Sequence, residues 1–143
     1  MAADQNYSVS SLPYETTPYP AFKKIRHLPL PVLLASGDDR KRKDTRFEYI
    51  SAAPDKVLRT HGKATLIEVA GKDSVTRTGN PLDVLCQEFP LEHKTRRTDD
   101  LPFTGGAIGY FGYELLHPWI PIEDARSRDI DLPDMLIGIY SWV

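Results

Sequence analysis

The chain has 143 residues, the size of one ordinary domain, with 41% hydrophobic residues, enough to bury a core, and 27% charged residues. A net charge of -2 supplies no basic field for nucleic acid, and no apolar run approaches the roughly 20 residues that a membrane span needs. The single cysteine, Cys86, cannot form an internal disulfide, so the expected compartment is the reducing cytoplasm.

The start, Met1 to Ser11, is polar and lacks both an apolar core and a basic leader, so no secretion signal is expected. Residues 1–17 read as a loosely ordered segment and 18–143 as one domain. Twelve prolines cut the chain into short elements. That density argues against a helical bundle and for a strand-rich domain with long connections.

Tyr19 to His27 reads as a short amphipathic helix, with Phe22 and Ile25 inward and Lys23, Lys24 and Arg26 in water. Pro29 and Pro31 are expected to end it. Val32-Leu33-Leu34-Ala35 is continuous and apolar, the pattern of a buried strand. A charged loop follows through Thr45, holding the run Arg40-Lys41-Arg42-Lys43 between Asp38, Asp39 and Asp44. Arg46 to Ala52 alternates, with Phe47, Tyr49 and Ser51 on one side, and predicts a strand. Lys56 to Thr60 and Ala64 to Ala70 predict a hairpin about Gly62. Gly71 to Ser74 makes a second turn before a short strand at Val75 to Arg77.

Asn80-Pro81-Leu82-Asp83 opens a helix, with Asn80 as cap and Pro81 in the first turn. Its predicted apolar face is Leu82, Val84, Leu85 and Phe89. Residues 91–101 are charged and predict a surface loop. Phe103 to Phe111 is glycine-rich and apolar, and Gly112 to Leu116 predicts a short helical turn. A long connection, His117 to Pro133, leads to Met135–Val143, a strongly apolar stretch that predicts a buried strand. Chains rarely finish inside such a strand. The expectation is therefore either a boundary cut within a longer chain or a strand whose partners lie beyond Val143, with self-association through the uncovered strand as a further alternative.

No constellation of residues predicts catalysis. The cluster Thr104-Gly105-Gly106-Ala107-Ile108-Gly109-Tyr110-Phe111-Gly112-Tyr113 lacks the lysine and hydroxyl of a phosphate loop, and its first two glycines are adjacent rather than spaced for a dinucleotide. The simpler reading is close approach of another backbone. His27, His61, His93 and His117 form no HxH or HxxxH pair, and Cys86 has no partner at ligand spacing, so no metal site is expected. The acidic pairs Asp38-Asp39, Asp99-Asp100 and Glu123-Asp124 read as solvated faces. Asp129-Ile130-Asp131 is the least ordinary of the acidic groups. The basic run reads as a solvated loop, since neighbouring acids cancel much of its field.

Ser36 sits at the exit of an apolar strand, and Arg46-Phe47 opens the next. A hydroxyl, a guanidinium and an aromatic face would suit an amino acid, with Arg46 on its carboxylate.

Three segments carry a resemblance. His27-Leu28-Pro29 with Val32-Leu33-Leu34-Ala35-Ser36-Gly37 is the first, and Thr45-Arg46-Phe47 with Ala52-Ala53-Pro54 is the second. Leu101 to Leu115 with Asp131-Leu132-Pro133-Asp134-Met135 and Gly138-Ile139-Tyr140-Ser141-Trp142 is the third. In order and spacing they resemble the front region of the chorismate-utilising component I enzymes. The likeness is greater to aminodeoxychorismate synthase component I than to its sister family, anthranilate synthase component I.

The resemblance implies a parent enzyme that turns chorismate and ammonia into 4-amino-4-deoxychorismate, toward folate. It implies ammonia from a glutamine amidotransferase partner, and magnesium. It also implies that the catalytic and metal residues lie in a part this chain lacks, so the segment itself is expected to be inactive. One site carries over by resemblance, a tryptophan-type pocket matching Ser36, Asp44, Thr45, Arg46 and Phe47. An anthranilate synthase segment and a stand-alone tryptophan-binding module are the alternatives. The expected fold is α+β, a largely antiparallel sheet with two or three helices on one side, forming an incomplete half of a larger enzyme fold.

Overall fold

A computed structural model describes residues 8–12, 17–36, 47–89, 101–116 and 130–143. Among these residues the fold is α+β and mostly sheet, with a two-stranded and a five-stranded sheet rather than one. The chain divides into two compact units.

One unit holds described residues up to Pro54, with 101–106 and 140–143. Helix α1, Tyr19–Ile25, starts on Pro18 and Pro20, whose fixed φ suits a first turn, and ends with Lys23 and Lys24 near its negative pole. It stops before either later proline, because the amide of Leu28 turns back to the Ile25 carbonyl at 2.9 Å. Strands β1, Val32–Leu34, and β2, Tyr49–Ser51, pair antiparallel with Val32 opposite Ser51 and Leu34 opposite Tyr49. The apolar run predicted a buried strand at Val32–Ala35, but Leu34 is 46% exposed and Val32 and Leu33 only half-buried. A ribbon of two three-residue strands has too little surface to enclose both faces. Arg46, expected at the head of β2, lies outside the described residues.

The other unit holds described residues from Asp55 to Phe89, with 107–116 and 130–139. Strands β3, Lys56–His61, and β4, Ala64–Val69, form the predicted hairpin. Gly62 turns it at φ +58°, where a Cβ would be strained. Strand β5, Val75–Thr78, pairs with β4. Helix α2, Pro81–Glu88, begins where Asn80 Oδ1 accepts the Leu82 amide at 2.9 Å. Pro81 and Val84 are buried while Leu82, expected on the inner face, is 45% exposed. The buried stripe runs 81, 84, 85, so position 82 points about 100° away.

Strand β6, Gly106–Phe111, leads into a 3₁₀ turn, Tyr113–Leu116, and β7, Met135–Tyr140, completes a sheet of order β5-β4-β3-β7-β6. Inward residues at period two give the core: Leu58, Ile67, Met135 and Ile137, with Val84 from α2 and Leu115 from the turn. Thr60 and Thr65, also buried and directly opposite, share a hydrogen bond at 2.8 Å. Glu88 fixes the end of α2, receiving Lys56 at 2.7 Å and Arg77 at 3.0 Å.

β7 corrects one expectation. One of the two readings of the apolar end put its partners beyond Val143, yet it sits between β3 and β6 with both edges paired. It offers no open edge for self-association.

Candidate functional site

The glycine cluster is structural. A Cβ on Gly109 would fall inside the Leu136 carbonyl, and one on Gly105 would lie 2.9 Å from the Tyr140 carbonyl. Gly112 donates its amide to the Asp134 carbonyl at 2.7 Å. These glycines let β6 lie close against β7, and their partners run in opposite order, so the two strands are antiparallel.

Of the predicted site residues, Ser36 and Phe47 meet. The Ser36 hydroxyl donates to the Phe47 carbonyl at 2.8 Å. That bond continues the β1–β2 register two residues past the Leu34–Tyr49 pair. The hydroxyl oxygen keeps its acceptor capacity. Asp44, Thr45 and Arg46 lie outside the described residues.

Two aromatic residues join the site that pattern reading left out. Phe47 stacks on Tyr49, with centroids 6.2 Å apart and planes at 16°. Phe103 meets Tyr49 edge-on at 5.5 Å and 81°. The alternation of 47, 49 and 51 contained the first of these neighbours. The second comes from a distant segment, for which the local pattern has no signal. Together they form a half-buried aromatic group beside one hydroxyl, which can hold a flat or apolar moiety by stacking.

His27 and His61 are exposed, and His93 and His117 lie outside the described residues. So do the basic run at 40–43 and the acids Asp38, Asp39, Asp99, Asp100, Glu123, Asp124 and Asp129. Cys86 is a free, exposed thiol. Among the described residues no three His, Cys, Asp or Glu side chains gather where a metal could bind. The described residues therefore make no magnesium site, and no chemical step is assigned to such an ion here. None of the described helices is long and apolar enough to cross a membrane. Tyr140 is displaced from its ordinary pKa: burial pushes its phenol above the usual value of 10.0.

No family model matches the chain. Most of the chain nonetheless matches proteins of one class, the first components of two synthases. It is a relative of aminodeoxychorismate synthase component 1, and more distantly of anthranilate synthase component 1. The Escherichia coli K12 aminodeoxychorismate synthase component 1 is 38% identical over 122 residues, 85% of this chain and 26% of that protein. Its Salmonella typhimurium counterpart is 39% identical over the same shares. The anthranilate synthase component 1 of Neisseria meningitidis serogroup B is 32% identical over 127 residues, with 85% and 26% covered. The chain thus spans about a quarter of the length of these relatives.

Proposed function

We propose that the chain is the front segment of an aminodeoxychorismate synthase component 1. The complete enzyme would convert chorismate and ammonia to 4-amino-4-deoxychorismate in the cytoplasm, with ammonia from a glutamine amidotransferase partner and with magnesium. The observation that carries this reading is the ordering of identities. Three aminodeoxychorismate synthase components stand at 36–39%, and the anthranilate synthase components at 28–32%.

The segment contributes scaffold rather than chemistry in this reading. Residues 18–143 act as one functional region. Ser36, Asp44, Thr45, Arg46 and Phe47 belong to a tryptophan-type pocket, with Tyr49 and Phe103 extending its aromatic wall. Support for the pocket comes from the Ser36–Phe47 bond and the three rings beside it.

The test of the segment is to supply the isolated chain with chorismate, ammonia and magnesium. No product is expected, and turnover to either product overturns the assignment of scaffold. The aromatic group also favours a second reading, an amino-acid-binding module. Calorimetric titration with tryptophan separates the two, because micromolar binding by the chain alone supports the module.

A further inference from the structure

Among the described residues, two other than glycine occupy the left-handed region, Leu30 at φ 41° and Ala53 at φ 51°. Both stand directly before a proline, Pro31 and Pro54. A following proline ring pushes its predecessor toward extended backbone. Left-handed backbone at such positions persists only where the surroundings over-determine it. The two turns flank the β1–β2 ribbon, Leu30 leading into β1 and Ala53 following β2.

The surroundings supply three bonds. The Ala53 amide donates to the Pro29 carbonyl at 2.7 Å, joining the two turns. The Tyr140 hydroxyl donates to the Leu30 carbonyl at 2.9 Å, from a side chain only 3% exposed. Ser51, the last residue of β2, donates its hydroxyl to the Trp142 carbonyl at 2.8 Å.

The ribbon has just three residue pairs. A slip of one residue would turn each side chain to the opposite face. Ser36 meets Phe47 only in the register that sets Val32 opposite Ser51. What fixes the entry angle at Leu30 therefore fixes the site.

We propose that Tyr140 is a positioning residue for the candidate pocket. Its phenol latches Leu30 in the left-handed conformation, and the Leu30 and Ala53 turns together set the β1–β2 register. The proposal takes Ser36 and Phe47 as pocket residues, but its test involves no ligand, so it fails or stands separately from tryptophan binding.

The test is amide hydrogen exchange with ¹H–¹⁵N correlation spectra on the chain carrying Tyr140→Phe, which keeps the buried ring and removes the hydroxyl. Amides of β1 and β2 are expected to exchange roughly ten-fold faster, the scale of one lost hydrogen bond, with β3 and β4 unchanged. The Ser36 and Phe47 resonances are expected to shift. Unchanged protection in β1–β2, or an equal loss in every strand, overturns the proposal. A second variant holds if the first does not fold. Ala53→Gly removes only an exposed methyl and relieves the left-handed backbone. It is expected to slow exchange in β1–β2 alone, and no change or faster exchange there contradicts the latch.

Discussion

The carboxylate of Asp134 accepts the amide of Gly62 at 2.6 Å, so a residue just ahead of β7 holds the tip of the β3–β4 hairpin. The same residue donates its amide to the Thr60 carbonyl at 2.7 Å and accepts the Gly112 amide on its own carbonyl at 2.7 Å. It is 4% exposed. One residue thus joins the hairpin, β7 and the end of β6.

Asp134→Ala leaves the Gly62 amide without its carboxylate partner. The expected loss is about 1–3 kcal/mol of stability. Asp134→Asn keeps an acceptor and should lose less. Urea denaturation of the three proteins checks the order, and equal midpoints would contradict it.

Gly109 and Gly62 separate two reasons for glycine. Gly109 has ordinary backbone but no room, since a Cβ would enter the Leu136 carbonyl. Gly62 has open space but φ +58°. Gly62→Ala should lose about 1 kcal/mol through backbone strain. Gly109→Ala should lose more, on the order of 3 kcal/mol, because β6 must separate from β7. Thermal denaturation of both variants decides between them.

Ser36→Ala removes the donor that closes the ribbon on Phe47. The expected loss is about 0.5–1.5 kcal/mol, confined to the β1–β2 unit. Local hydrogen exchange reads it, and an unchanged Phe47 environment would show that the hydroxyl contributes nothing.

Tyr140 gives a pH dependence of known sign. Burial raises its folded pKa above the unfolded value of 10.0. The neutral phenol is favoured in the folded chain, so its contribution is complete below about pH 10 and is lost as pH rises through the folded pKa. Urea midpoints should fall above pH 10, and Tyr140→Phe should flatten that decline. A decline equally steep in the variant would place its cause elsewhere.

Much of the fold was legible because the relevant signals are local. The Asn80-Pro81 start of α2, the Gly62 hairpin and the β3–β4 alternation each depend on neighbours within a few residues. β7 was legible as a strand but not as a central one, because its partners β3 and β6 are set by topology rather than by its own residues. The apolar run at Val32–Leu34 misled for a related reason: hydrophobicity signals a wish to be buried, not the presence of a layer to do so. The strand-end positions of Ser36 and Phe47 made their approach legible, and the fold joins them by one hydrogen bond. Phe103 was not legible, because only the fold brings it to Tyr49.

The most direct measurement is the product formed when the complete protein carrying this segment is given chorismate and ammonia. The account predicts 4-amino-4-deoxychorismate. Anthranilate in its place, or no consumption of chorismate, would contradict it.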